Sequence, residues 1–294
     1  MKKYSCFIVL LFISIFSFAQ NEGSLLDLLG GEEATTEKVR NAFKSPRVIN
    51  SHSMEMLAEG ALDFRILHRF GDISRGAYEL FGLDNASMRM GFDYGVTRDF
   101  TIGIGRSTHN KELDGFVKYR ILQQSTGQRN VPVSIVWVSG ITYTTLRNPY
   151  PGETINASRR TAYYHQVIAG RKFSEKFTLQ VAPFMVYRNF TSSSLDPNAL
   201  YGTEIGGRYK LSNRVALVMD YSLALNRFPG VLANNPLSIG FDIETGGHVF
   251  QLHFSNAVGM NERSFISDAN RNWFKGEIMF GFNLSRVFQI KKNK

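Results

Sequence analysis

The last stretch of the chain alternates almost strictly between two kinds of side chain. From Glu277 to Ile290, every second residue except Arg286 is large and apolar, while the residues between them are mostly polar or small. Only an extended strand gives side chains a period of two, so this segment predicts a β-strand with one apolar and one polar face. Strands of this kind, with the apolar face outward, are typical of a β-barrel in a membrane.

Similar segments recur along the chain after residue 60. We count about twelve, each close to the roughly nine to eleven residues that a tilted transmembrane strand needs. Tight turns alternate with longer polar loops, and an even number of strands brings both chain termini to the periplasmic side. The predicted fold is all-β, an antiparallel up-and-down transmembrane barrel of about 12 strands over residues 60–294. The predicted strands are 62–70, 87–96, 100–107, 115–123, 131–144, 161–173, 177–190, 200–211, 215–224, 237–244, 248–255 and 276–290.

The N-terminus has the pattern of a secretory leader. Lys2 and Lys3 precede a short apolar run that ends in a small-x-small cleavage site at Ala19. We therefore expect residues 1–19 to be a signal peptide cleaved near Ala19, and the mature chain to lie in the cell outer membrane. The only cysteine, Cys6, leaves with the leader. Disulfides and cysteine-based zinc sites are thus excluded from the mature protein.

Residues 20–59 differ from the barrel sequence and are predicted to be a short periplasmic N-terminal arm. A small apolar patch is followed by an acidic linker, and the stretch between Lys38 and Ser53 is polar and basic. This stretch could rest on the rim of the barrel or fold into its mouth, although a loosely ordered arm is slightly favoured. A periplasmic partner could bind to the same residues.

The formal net charge is +9. On an exported protein, this charge favours outer-membrane lipids and the phosphates of lipopolysaccharide as partners over nucleic acid. The terminal Phe288 and Ile290 fit recognition by the barrel-insertion machinery, and we expect a monomer.

The charged residues predict which strand face lines the lumen. A charged side chain that faces lipid at mid-membrane costs about 2–4 kcal/mol, so the face with the charges must point inward. The segment 161–173 cannot be assigned in this way, because both of its faces mix polar and apolar residues. Arg286 falls on the lipid face and is predicted to lie near the periplasmic interface. The predicted lumen-lining charged residues are Asp63, Arg65, Arg69, Arg89, Asp93, Lys118, Arg120, Arg188, Glu204, Arg208, Asp220, Asp242, Glu244 and Glu277.

Several short segments share their spelling with a known family. They include Phe43-Lys44-Ser45, Leu62-Asp63-Phe64-Arg65, His68-Arg69-Phe70-Gly71, Asp114-Gly115-Phe116 and Gly259-Met260-Asn261-Glu262. In these segments the chain resembles an uncharacterised outer-membrane β-barrel family of Gram-negative bacteria, a domain of unknown function. The resemblance covers nearly all of the mature chain. It implies the fold and the location, and it implies no activity.

One local motif points to catalysis. His253-Phe254-Ser255-Asn256 resembles a segment of outer-membrane lipid A deacylases and phospholipases. That resemblance implies His253 as the base and Ser255 as the nucleophile, with Glu262 or Asp268 to orient the imidazole. The simpler interpretation is that His253 and Ser255 are ordinary polar residues of the lumen. The six histidines show no paired metal-ligand spacing, so neither a metal nor another cofactor is predicted.

The charged lumen is the main functional feature of the sequence. Eight strands enclose only enough room for side chains and sixteen leave an aqueous channel, and about twelve strands lie between these cases. The leading hypothesis is a non-enzymatic, porin-like or gated passage for small polar solutes. The charges could instead form a salt-bridged filling that closes the barrel. The other hypotheses are a lipid hydrolase that uses His253 and Ser255, and a structural anchor for a periplasmic partner.

Overall fold

The structure is a computed structural model, and it describes residues 35–147, 152, 154–191, 193–227 and 234–291. The predicted signal peptide, its cleavage site near Ala19 and the first part of the predicted arm lie outside the described residues. Within the described ranges, no helix is both long and apolar enough to cross a bilayer.

The described chain consists mainly of fourteen β-strands. Two short strands, β1 and β6, pair with each other in a separate ribbon, and the other twelve form a closed barrel. One short α-helix, α1, spans Glu262–Ser267. The strands are β1 Thr36–Lys38, β2 Ala61–Asp72, β3 Ala86–Thr97, β4 Phe100–Ser107, β5 Glu112–Leu122, β6 Ser125–Gly127, β7 Ser134–Thr144, β8 Thr161–Lys172, β9 Phe177–Arg188, β10 Ala199–Lys210, β11 Val215–Ala224, β12 Leu237–Thr245, β13 His248–Ser255 and β14 Met279–Gln289.

Each barrel strand is antiparallel to the barrel strands before and after it in the chain, and the last strand closes on the first. In the closing pair, β14 and β2, Ser285 lies opposite Arg65 and Leu284 opposite Ile66. A bulge between Met279 and Gly281 shifts the register near one end of this pair. The predicted twelve-stranded up-and-down barrel is confirmed, because a full circle of pairing leaves no barrel strand with an open edge.

The two ends of the barrel differ in their connections. At one end, here called the turn end, tight turns join most strand pairs. The start of the first barrel strand and the end of the last one also meet there, where the Ile290 N–H donates to the Gly60 carbonyl at 2.9 Å. At the other end, the loop end, several of the connections are long, including the one that contains α1. Arg286 pairs with His248, the first residue after the Gly246–Gly247 turn, so it lies near the turn end.

The outer surface of the barrel is apolar and rich in aromatic side chains. Phe92, Tyr119, Phe241 and Phe250 are among the large residues exposed there. Each is flanked in its strand by residues that face the interior. This is the arrangement that contact with lipid requires.

Strand β8 shows why the sequence alone could not orient it. Tyr164 and Ile168 are buried inside the barrel, whereas Tyr163 and Val167 are exposed outside. The inner face is apolar here because it packs against another apolar surface within the lumen. Strands with two apolar faces lose the alternation from which their orientation is inferred.

The lumen is not empty. Residues 42–55, here called the plug, lie inside the barrel, and all of them except Lys44 and Glu55 are fully buried. The interpretation of this stretch as a periplasmic arm is therefore wrong for residues 42–55, and the alternative of folding into the barrel mouth describes it better. Of the stretch between Lys38 and Ser53, residues 38–41 lie outside the plug and are mostly exposed, and the binding of a periplasmic partner stays a prediction.

Candidate functional site

The plug is a tight reversal of the chain. Arg47 and His52 pair as an isolated antiparallel bridge, and the Val48 N–H donates to the Ser51 carbonyl at 2.9 Å. A second bond, from Ser53 N–H to Pro46 O, is also 2.9 Å long. Few other main-chain bonds form within the plug, so most of its peptide groups need partners from elsewhere.

The barrel wall supplies these partners. The carboxylate of Asp220 accepts hydrogen bonds from three consecutive plug N–H groups, those of residues 49, 50 and 51, at 3.2, 2.6 and 3.0 Å. The Gln180 side chain accepts from Met54 N–H at 2.9 Å and donates to the carbonyl of His52 at 2.7 Å. Side chains of the wall therefore bind the plug mainly through its backbone.

Three more wall residues bind plug carbonyls. Lys118 donates to the carbonyls of Pro46 and Glu55 at 3.2 and 2.6 Å. Gln251 donates to that of Val48, and Asn283 donates to that of Ile49 at 3.2 Å. Together with Asp220 and Gln180, these residues come from β5, β9, β11, β13 and β14, so the contacts reach the plug from several sides of the barrel.

The other half of the lumen is apolar. Phe43, Val48, Ile49 and Met54 of the plug are buried in one cluster with apolar side chains of β5, of β7 to β11 and of α1. This burial stabilises the plugged state by the hydrophobic effect, while the polar half fixes its position through hydrogen bonds. The wall residues in the cluster are Phe116, Val136, Val138, Tyr164, Ile168, Ala182, Phe184, Val186, Leu200 and Val218.

A second segment enters the lumen from the loop end. Residues 256–269, here called the inner loop, contain α1, and an Asn261–Ser264 capping box begins that helix. Glu262 of α1 accepts from Arg47 Nη1 at 2.6 Å and lies 3.1 Å from His52 Nε2. The side chains of Glu262 and Arg47 are 2% and 0% exposed, so this ion pair is isolated from water. The inner loop and the plug are thereby joined inside the barrel.

A charge network lines the wall beside this ion pair. Arg89 binds Asp114 through two of its nitrogens, one of them at 2.9 Å from Oδ1. Arg65 donates to Asp63, whose other oxygen accepts from Ser285 at 2.6 Å. Asp93 is fully buried, and neither of its oxygens has a hydrogen-bond partner among the described residues. Several segments that carry the family resemblance, including those with Glu262 and Asp114, meet in this region.

The polar mouth at the loop end is balanced in charge. A pocket of about 340 Å³ opens there between the inner loop and the wall. Arg263 pairs with Glu112 at 2.9 Å and with Asp268 at 3.0 Å. Burial raises the pKa of Asp268, but the neighbouring Arg263 and His109 outweigh burial and hold that pKa below its usual value. The ion pairs leave little net charge in the mouth.

Most of the predicted lumen residues lie inside the barrel, but four lie near its ends. Arg120 pairs with Asp99 of a turn, and Glu244 pairs with Lys44 at 2.8 Å. Glu277 precedes β14 and accepts from a loop N–H, so it does not share the lumen with Arg65. Arg188, which binds Asp196 at the loop end, is buried. The other buried members of the predicted set are Asp63, Arg65, Arg69, Arg89, Asp93, Lys118, Glu204, Arg208, Asp220 and Asp242.

The proposed catalytic residues do not form a site. His253 Nε2 lies 3.1 Å from Arg69 Nη2, whereas the Ser255 hydroxyl accepts from Ser238 at 2.9 Å. Glu262 is engaged with the plug rather than with His253. Both His253 and Ser255 are at most 1% exposed, so no lipid reaches them in this structure. The geometry does not support the hydrolase alternative.

The sequence did not reveal the neutral wall residues or the role of the plug. Gln180, Gln251 and Asn283 are uncharged, whereas the lumen face was predicted from charged residues alone. The available signal was that these three residues lie on the inward-facing side of their strands, together with an unusually polar stretch before the first strand. Among the described residues, no group of three or more histidine, cysteine or acidic side chains could hold a metal ion.

Comparison with known proteins places this architecture in a family. The family model described as "Membrane bound beta barrel domain (DUF5777)" matches residues 43–288. The chain belongs to this family. Because the match begins at Phe43, the family's domain includes the plug as well as the barrel.

Solved barrels are similar in fold. The NanC porin matches with 9% identity over 79% of this chain and 100% of its own, at a TM-score of 0.48. An outer-membrane channel from Pseudomonas putida F1 matches with 13% identity over 79% and 97%, at 0.44. The translocator domain of the autotransporter NalP from Neisseria meningitidis matches with 11% identity over 80% and 89%, at 0.34. At these scores the similarities carry no argument about function. A comparison with curated proteins gives no match.

Proposed function

We propose that this family member is a gated passage for small polar solutes in the outer membrane, closed by the plug and the inner loop. The observation that carries the proposal is the way the wall binds the plug. Its charged and amide side chains are bonded to plug backbone groups, which water or a solute can replace when the plug leaves.

The charged wall supports a passage rather than a simple structural filling. A barrel that only needs to be filled can use apolar side chains alone, and those avoid the cost of desolvating buried charges. Here β7 to β10 supply most of the apolar surface, but the rest of the wall carries Arg65 and Arg89, each with an acidic partner, together with Arg69 and Lys118. Water would hydrate the charged side chains of that wall after the plug leaves.

Locking the plug to the wall tests this proposal. A Cβ placed on Gly206 would lie 2.9 Å from Val48 Cγ2, so a Val48→Cys, Gly206→Cys pair is close enough for a disulfide. Because the predicted mature chain has no other thiol, oxidation would form this one crosslink. In planar bilayers we expect the wild type and the reduced pair to conduct intermittently, and the oxidised pair to stay closed.

The single Val48→Cys variant is the matched control, and its conductance should be insensitive to oxidant. Equal conductance of the oxidised and reduced pair would contradict gating by the plug. The passage would be ruled out if the wild type, the reduced pair and a variant without residues 42–55 all failed to conduct. The barrel would then be permanently closed, and its charges would only fill the lumen.

A further inference from the structure

The plug occupies the lumen in the manner of a bound peptide. Five wall residues on five strands bind its peptide N–H and carbonyl groups through nine hydrogen bonds. The wall makes fewer bonds to plug side chains. Ser238 accepts from Asn50 Nδ2 at 2.7 Å and Arg69 donates to Asn50 Oδ1 at 2.8 Å, while Arg65 donates to Ser45 Oγ and Glu244 pairs with Lys44, both at 2.8 Å. The wall therefore contacts features that any peptide has more than it contacts this particular sequence.

The site at Asp220 illustrates this recognition. Successive N–H groups of a turn form a concave set of donors that suits an anion, and the Asp220 carboxylate fills it with three bonds. On the other side of the turn, Gln251 and Asn283 donate to the carbonyls of two adjacent residues. The wall thus offers an acceptor to peptide N–H groups and donors to peptide carbonyls.

The plug buries these wall groups, so when it leaves, their hydrogen bonds pass to water or to a ligand. Asp220 and Gln251 are 4% and 3% exposed, and Gln180 is 1% exposed. A ligand that supplies both amide donors and carbonyl acceptors replaces the lost bonds. A ligand with hydroxyl groups only, such as a sugar, lacks the planar alternation of N–H and C=O.

We propose that the lumen wall is a binding site for short peptides, which occupy the position of the plug when the plug is displaced. The inference rests on the proposed function in one respect, namely that the plug leaves the lumen. It adds the class of ligand. It also assigns Asp220, Gln180 and Gln251 as residues that determine specificity.

The test uses the full chain with one substitution, Val48→Cys, and a bilayer-impermeant maleimide. Val48 is 0% exposed, so its thiol reacts only when the plug is out, and the labelling rate reports the open population. A peptide that binds the open wall traps that state. At ten times its Kd, labelling should therefore accelerate about tenfold. The probe is the blocked tetrapeptide acetyl-Gly-Ala-Gly-Ala-amide, which shares no sequence with the plug turn, and sucrose is the matched non-peptide solute.

A second variant separates recognition from simple loosening of the plug. Asp220→Asn in the Val48→Cys background should raise the basal labelling rate but reduce the acceleration by the tetrapeptide severalfold, since the wall then holds peptide N–H groups less well. A merely structural role for Asp220 would raise the basal rate and leave the peptide effect unchanged, which overturns its assignment to specificity.

The remaining outcomes are also decisive. Acceleration by the tetrapeptide but not by sucrose supports peptide binding, whereas equal acceleration by both, or by neither, overturns it. The labelling assay does not depend on conductance. A protein that labels faster with peptide but never conducts would therefore refute the passage and retain the peptide site, and a conducting protein without the peptide effect would do the reverse.

Discussion

Substituting Glu262 by glutamine should release the plug. In the structure this carboxylate lies 2.6 Å from Arg47 Nη1 and 3.1 Å from His52 Nε2, with both ion-pair side chains almost fully buried. Removing one partner of a buried ion pair typically costs about 3–5 kcal/mol, because the other charge stays buried without compensation. Glutamine keeps one oxygen as an acceptor, so we expect the lower end, about 3 kcal/mol. The open population of the plug should then rise on the order of 100-fold.

The maleimide labelling rate of Val48→Cys measures this change directly. Glu262→Gln in that background is compared with Glu79→Gln, which also removes a glutamate charge from a loop-end segment but whose arginine partner is 61% exposed. Exposed ion pairs contribute about 0–1 kcal/mol, so the control should change the rate by less than about fivefold. The shift in gel mobility between unheated and boiled samples checks that the barrel itself stays folded in every variant.

A rescue experiment sharpens the reasoning. Replacing both partners, Arg47→Met together with Glu262→Leu, removes the buried charges and should return the labelling rate most of the way to its starting value. The reasoning would be refuted if Glu262→Gln changed the rate no more than Glu79→Gln did. A rescue variant that labels faster than Glu262→Gln would also contradict it, because the cost would then not come from an unpaired charge.

Further predictions concern the wall. A side chain at Gly103 would collide with the Phe116 ring and a buried carboxylate, so Gly103→Val should destabilise the barrel by about 1–3 kcal/mol. The loss should appear as a lower unfolding temperature on gels. Gly115→Ala should be tolerated, because the nearest atom to a Cβ at that position is 3.7 Å away. Arg286 is near the turn end, so Arg286→Leu should change the free energy of unfolding by no more than about 1 kcal/mol. Phe282→Arg, which places a charge deeper in the lipid face, should cost about 2–4 kcal/mol. A urea titration in lipid vesicles measures both. Equal effects within either pair would contradict the assigned register.

The strands were predictable because lipid and lumen impose opposite demands on alternate residues. In β14 the alternation is almost complete, and this strand closes the predicted barrel by pairing with β2. The same rule assigned Arg89 and Asp93 to the inner face, because a charge in the lipid face is costly, and both residues are buried in the structure. It failed for β8, where Tyr164 and Ile168 face an apolar plug instead of water. Periodicity shows two environments only when they differ in polarity.

The candidate site was only partly predictable. The alternation of side chains predicted that Lys118 and Asp220 lie in the lumen. Their partners are peptide groups of the plug, which no pattern of side chains in the sequence could indicate. Alternation along the strand also predicted that Glu277 lines the lumen, although Glu277 lies in the loop before β14. Alternation indicates which face of the sheet a residue is on, but it does not indicate how far along the barrel axis the residue lies. The motif at His253 and Ser255 suggested chemistry, but the two side chains are bonded to different neighbours.

The sequence by itself determined that this chain forms a membrane barrel of about twelve strands with charges inside. That information is local, since a period of two in each segment is enough to choose the strand and its outward face. Only the tertiary structure decided that the lumen is occupied. The bonds that hold the plug join residues 46–55 to Lys118, Gln180, Asp220, Gln251 and Asn283. These residues are far apart along the chain, and only closure of the barrel brings them around one peptide.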